Sequence, residues 1–209
     1  MLMPFDVREA TRTQRQFDWR SLGLGLTQVA LVAFGVAIVQ RANADGSPFA
    51  TTYRLAGSLL GVYFLLEAGN TLALFSHRLF GWEFPPIQNT PIASRSVREF
   101  WSQRWNRTVS RWLRRSVFVP LVRRRAPHLA SFAAFAISGA IHAWLVITVL
   151  SPSEILAMAG FFVAQGIVVA IEDTLPIKRW PRFAQHTWTL CGLLLPAPLF
   201  LVPMANTLR

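Results

Sequence analysis

The chain has 209 residues, 53% of them hydrophobic and 15% charged, where soluble domains carry about 25% charged residues. The apolar residues fall in long runs, which excludes an ordinary soluble globular domain and implies an all-α, multispan membrane protein. The net charge of +11 is confined largely to alternate segments between those runs, a topology signal that argues against nucleic acid as a partner.

Residues 1–20 are polar and mixed in charge, and read as a cytoplasmic N-terminal arm; residues 21–209 are expected to form a single membrane domain. A bilayer-spanning helix needs about 20 mostly apolar residues. Five runs come near that, at 22–40, 55–75, 129–150, 155–171 and 187–204. "RANA" after the first run resembles a signal-peptide cleavage site. The run is longer than the usual apolar core of a signal, and Gln40 and Arg41 interrupt the approach to the site, so an uncleaved signal anchor is expected. "NADGSP" (43–48) reads as an external turn. Residues 76–128 form the one long connection, in which the three prolines of "GWEFPPIQNTP" (81–91) exclude a continuous helix. "SPSE" (151–154) is a tight turn with Ser151 or Ser153 placed to cap the fourth span. "EDTLPIKRWPRF" (172–183) reads as a short loop. Pro196, Pro198 and Pro203 predict a kink or a re-entrant turn in the fifth run. Cys191, in that run, is the one cysteine; it excludes an intrachain disulfide and is expected to be a packing residue.

Eighteen of the 21 Lys and Arg residues lie before the first span, between the second and third, and between the fourth and fifth; three lie in the other segments. This positive-inside pattern places the N-terminus in the cytoplasm of a multi-pass protein, in a bacterial inner membrane or the endoplasmic reticulum. Arginines at this density first serve topology and anionic lipid headgroups. The "NRT" sequon at Asn106 falls on the cytoplasmic side and is expected to stay unmodified.

Within the long connection, "SVREFWSQRWNRTVSRWLRR" predicts one amphipathic helix over 96–116. Val97, Trp101, Trp105, Val109, Trp112 and Ser116 recur at helical spacing, while Arg98, Arg107, Arg111 and Arg114 fall largely on another face. A Trp-bearing apolar face opposite a basic one describes a helix lying in the membrane interface. A third stripe carries Gln103, Asn106 and Ser110.

Of the four histidines, only His142 is deep in a predicted span. A titratable group at that depth marks a functional site by default. Ser138 and Gly139 stand one turn before it on the same face and leave room for a substrate beside the imidazole. The bland alternative is that His142 bonds another helix and Gly139 permits close packing. Glu67 is the one acidic residue inside the five runs; with Asn70 and Thr71 it either lines a chamber or joins helices. No second histidine or carboxylate stands near His142 in sequence, so no metal site is expected.

"PIASRSVREFWSQRWNRTV", followed by an apolar helix with "FAISGAIH", resembles the wax synthase branch of the membrane-bound O-acyltransferases. Members carry an F-W-x-x-R-W-N/H element and then an S-G-x-x-H element. The matching residues are Phe100, Trp101, Arg104, Trp105 and Asn106, then Ser138, Gly139 and His142, and the resemblance covers about residues 55–205. It departs at Ala143, where the family often has Glu, and in length, since relatives usually have additional N-terminal spans.

The resemblance implies transfer of a fatty or short acyl group from acyl-CoA to an alcohol hydroxyl, within the membrane. His142 maps to the family's catalytic histidine and Asn106 to its partner. Trp101, Arg104, Trp105, Ser138, Gly139 and Glu67 are the expected substrate-binding residues. An imidazole can take the hydroxyl proton as it attacks the thioester, and an amide near it can orient the acceptor or hold the oxyanion. The cytoplasmic arginines suit the phosphates of CoA. The expected partners are membrane lipids, acyl-CoA as co-substrate and a lipophilic alcohol, with no other cofactor. Two other readings remain open: a non-catalytic relative acting as an assembly partner, and a small-molecule carrier using Glu67 and His142 as a proton path.

Overall fold

Two long apolar helices, α1 (Trp19–Ala44) and α2 (Ala50–Leu79), open the chain in the computed structural model, which describes residues 10–44 and 47–207. Residues 1–9 of the expected cytoplasmic arm, and Asp45 and Gly46 of the expected external turn, lie outside the described residues. Two compact units emerge, Met1–Gln88 with Met204–Arg209, and Asn89–Pro203.

In the first unit, Asp18 begins α1. Its Oδ1 accepts from the backbone N–H groups of Arg20 and Ser21, and its Oδ2 from the Ser21 hydroxyl at 2.6 Å. These satisfy donors that a helix start leaves without intrahelical partners. The Ser21 hydroxyl and backbone N–H, the leading influences, hold the half-buried Asp18 carboxyl below the usual carboxylate range. Arg78, at the far end of α2, pairs with Asp18 at 3.0 Å. The two helices are therefore antiparallel, and glycine sets their separation. A Cβ on Gly35 would lie 2.8 Å from both the Gly57 carbonyl oxygen and the Gly61 nitrogen, so the backbones touch where side chains are missing. Beyond α2, Gly81 adopts φ 76° and a Cβ there would meet the Thr13 oxygen at 2.9 Å. This turn lets β1 (Thr11–Arg12) pair antiparallel with β2 (Trp82–Glu83).

In the second unit, six helices follow: α3 (Val97–Glu99), α4 (Arg107–Leu113), α5 (Val119–Arg123), α6 (Pro127–Leu145), α7 (Pro152–Thr174) and α8 (Arg182–Leu194). A ninth, α9 (Pro198–Asn206), follows α8. Ser151 starts α7 in a capping box with Glu154, as one of the two serines expected there. α6 packs along α7, with Gly139 against Ala159 and Phe162, and Gly166 against Phe135.

Several expectations change in detail. The stretch 96–116 is not one helix. α3 continues as a π-helix over Phe100–Arg104, Trp105 is extended, Asn106 takes φ 38°, and α4 starts afresh; a second π-helix covers Arg114–Phe118. Asn tolerates the left-handed region better than most residues, which lets the chain reverse there. The third apolar run stops as a helix at Leu145, five residues short of Leu150, where Val146–Leu150 closes as turns. The fifth run divides into α8 and α9, bent by 46° at the proline-rich break. Three described helices, α1, α2 and α7, are long and apolar enough to cross a membrane, or four if the bent pair counts as one span; the apolar part of α6, Leu129–Leu145, is shorter. α7 extends over Glu154, Glu172 and Asp173, so Glu67 is not the sole acidic residue inside a long apolar helix. Cys191 is exposed and does not pack in a core.

Candidate active site

His142 sits one turn from the end of α6, and its Nδ1 lies 2.8 Å from the Ser138 carbonyl oxygen. A carbonyl can only accept, so Nδ1 carries the hydrogen and donates it. In the neutral ring this fixes the tautomer and leaves the lone pair on Nε2. The ring lies against aromatic faces, 4.4 Å from Phe162 of α7 and 6.0 Å from Phe200 of α9, centroid to centroid. The role of Ser138 is thus carried by its backbone, while Gly139 is buried at the α6–α7 contact, where a Cβ would meet the Ala159 oxygen and Phe162 Cβ at 3.3 Å.

Trp101 enters the same aromatic group from the other side. Its ring contacts Phe162 at 6.2 Å, Phe161 at 6.1 Å and Phe135 at 6.0 Å. Its Nε1 donates to Gln165 Oε1 at 2.9 Å. Phe162 therefore touches both the imidazole and Trp101, and joins the two motif elements that the sequence separates. Trp105 stacks on Phe100 at 5.2 Å and lies 6.4 Å from Trp101.

Asn106 follows directly. Its Oδ1 accepts from the Val109 N–H at 3.4 Å, so it is the N-cap of α4. Arg104 is committed within the same segment. Its Nε donates to Glu99 Oε1 at 2.6 Å and its Nη1 to the Asn89 carbonyl at 3.1 Å. Burial opposes ionisation of Glu99, but the Arg95 backbone N–H and the Arg104 guanidinium outweigh it and hold the carboxyl below its ordinary value. Glu67 belongs to the first unit and is half-buried there. Its neighbour Asn70 turns inward and accepts from the Ile87 N–H at 2.8 Å.

Two polar residues of α7 escaped the sequence reading. Gln165, fully buried, also donates from Nε2 to the Gly192 carbonyl at 3.1 Å. Glu172, 6% exposed, accepts from the Val97 N–H at 2.7 Å, the Arg98 N–H at 3.0 Å and the Trp188 indole at 3.0 Å. The fourth apolar run ends at Ile171, so by sequence Glu172 reads as the first residue of a loop. The only signal was its seven-residue spacing from Gln165, which places both on one helix face. Among the described residues, no three His, Cys, Asp or Glu side chains come together in a way that would hold a metal ion.

Residues 84–164, which contain both motif elements, match the model of the membrane bound O-acyl transferase family. The chain is 34% identical over 135 residues to a probable long-chain-alcohol O-fatty-acyltransferase of Arabidopsis thaliana, covering 59% of this chain and 39% of the relative. It is 24% identical over 180 residues to a long-chain-alcohol O-fatty-acyltransferase of Simmondsia chinensis, covering 81% of this chain and 49% of the relative. It is 26% identical over 160 residues to an acyl-CoA–sterol O-acyltransferase of Arabidopsis thaliana, covering 69% of this chain and 46% of that protein. The chain spans less than half the length of these relatives. With its two motif elements gathered around one aromatic group, the chain is similar over these residues to the membrane bound O-acyl transferase family and to its long-chain-alcohol O-fatty-acyltransferases.

Proposed function

We propose that this chain transfers an acyl group from acyl-CoA to the hydroxyl of a lipophilic alcohol, with His142 as general base. The observation that carries this reading is the bond from His142 Nδ1 to the Ser138 carbonyl, because it leaves Nε2 as the acceptor of a proton. Nε2 takes the hydroxyl proton as the alcohol oxygen attacks the thioester carbonyl. The carbon–sulfur bond then breaks, the ester leaves, and the proton returns to the departing CoA sulfur. The aromatic surround of Phe162 and Phe200 excludes water, which would compete as acceptor. Acyl-CoA is co-substrate and no further cofactor is invoked. The arginines of 95–125, on the cytoplasmic side in this reading, supply charge for the CoA phosphates.

Asn106 has the amide donors that can polarise the thioester carbonyl. A second reading, that Asn106 acts only as a helix cap, is favoured by its bond to Val109. Membranes containing the wild-type chain, His142→Ala or Asn106→Asp, given labelled acyl-CoA and a panel of alcohols, test both. His142→Ala should lower ester formation by about 100-fold or more; ester formation that survives it removes His142 as base. Asp caps a helix as well as Asn does but lacks the amide donor. Loss of activity in Asn106→Asp supports the polarising role, and retained activity leaves the cap alone.

A further inference from the structure

The α7 residues Gln165 and Glu172 lie two turns apart on one face, and each reaches the same two neighbours. Gln165 holds the Trp101 indole with its carbonyl and the α8 backbone at Gly192 with its amide. Glu172 holds the backbone N–H groups of Val97 and Arg98 with one oxygen each, and the α8 indole of Trp188 with the oxygen that also serves Val97. The start of α3 is thereby fully satisfied. Glu172 takes the first two N–H groups, the Ser96 hydroxyl accepts from Glu99 at 2.9 Å, and the Ser96 carbonyl accepts from Phe100 at 3.0 Å. A helix of three residues has little stability of its own, so an external carboxylate decides where it begins. The π-helix over Phe100–Arg104 and the left-handed Asn106 then end the segment.

We propose that Gln165 and Glu172 are positioning residues for the acyl transfer. They clamp the 97–106 segment at two points along α7, and so set Trp101 and Asn106 relative to Phe162 and His142. This rests on the acyltransferase reading above. Phe162 lies three residues before Gln165 on the same helix, so the clamp and the wall of the imidazole share one rigid element. At a surface, water would satisfy both side chains; both are buried instead, and the hydrogen bonds they make go to the segment or to α8. The exposed Arg98–Asp173 ion pair lies beside the clamp and is not part of it.

The test uses the full chain in membranes and in detergent, as Glu172→Ala, Glu172→Gln, Gln165→Leu and, as control, Asp173→Asn. Two quantities are read. One is kcat and the KM for acyl-CoA per folded molecule. The other is hydrogen exchange of the 97–101 amides. Misplacement of reacting groups by about 1 Å costs on the order of 100-fold in rate. Glu172→Ala and Gln165→Leu should lower kcat by about that order with little change in KM, and speed exchange at 97–101. Glu172→Gln, which keeps one accepting oxygen, should recover part of kcat. Asp173→Asn should match wild type. A clamp variant with wild-type kcat, or one whose lower activity follows only from less folded protein, overturns the proposal; so does unchanged exchange at 97–101. If the wild type forms no ester while the clamp variants release the 97–101 amides, the acyltransferase reading fails and the clamp remains as a feature of the fold.

Discussion

Gly35 and Gly57 bring α1 and α2 together backbone to backbone, whereas the 89–203 unit brings its helices together through rings and buried polar side chains. The two regions treat buried polar atoms differently. In the first, Gln28 Oε1, Ser58 Oγ and both side-chain atoms of Asn43 have no hydrogen-bond partner among the described residues. In the second, Gln165, Glu172, Gln185 and Thr189 are all bonded, Gln185 to the Ile177 and Trp180 carbonyls and Thr189 to the Gln185 carbonyl. Apolar helix contact tolerates sliding, because dispersion is non-directional. A bonded buried amide or carboxylate fixes direction as well as distance, since breaking it strands a polar group. The bonds of Gln165 and Glu172 stand beside the motif residues, where placement decides chemistry, while the Gly35–Gly57 contact of α1 with α2 is plain packing, with directional bonds only toward the end of α2 at Asn70 and Arg78.

This contrast can be broken by measuring unfolding in detergent and resistance to protease. The largest expected effect is Trp101→Ala, which removes a ring packed on Phe135, Phe161 and Phe162 and strands Gln165; it should cost about 3–5 kcal/mol. Trp144→Ala, at a ring 71% exposed, is the control, and equal losses from the two would sink the idea of a directed aromatic core. Next is Gly35→Ala, whose new methyl meets two backbone atoms at 2.8 Å and should cost about 1–3 kcal/mol. Gly23→Ala meets nothing within 4 Å and should be neutral or stabilising by up to about 1 kcal/mol. If the two glycines respond alike, backbone contact does not set the α1–α2 separation.

Smaller still is Ser58→Ala, which deletes a hydroxyl with no partner among the described residues; it should be neutral or stabilising, within about 1 kcal/mol. A clear loss would show that the hairpin depends on polar bonds as the other unit does. The smallest effect is one of pH. Glu99 ionises more easily folded than unfolded, so its contribution is present above the unfolded carboxyl value of about 4.3 and is lost as pH falls through the lower folded value. Glu99→Gln should therefore be less stable than wild type at neutral pH, with the gap closing on acidification. A gap that is the same at both ends would remove the Glu99–Arg104 bond as its cause.

The membrane class, the long helices α1, α2 and α7, the Ser151 start of α7 and the proline break before α9 were all legible from local pattern. Apolar run length, cap residues and proline act within one or two turns, so a sequence exposes them directly. The helix predicted over 96–116 was wrong in its middle. Periodicity continued through Trp105 and Asn106, but the sequence carries no strong sign that Asn106 would turn left-handed. The candidate site was legible as residue types, since a histidine inside an apolar run and an arginine-tryptophan segment stand out by themselves; that α6 ends at Leu145, one turn beyond His142, was not.

The sequence by itself determined the long apolar helices and the two motif elements, because each depends on residues close together in the chain. Only the tertiary structure decided that Phe162 lies between His142 and Trp101, and that Gln165 and Glu172 hold the segment carrying Asn106. Those contacts join residues 20 to 75 positions apart, and their cost and benefit are set by which groups are buried together, a quantity that no local pattern contains.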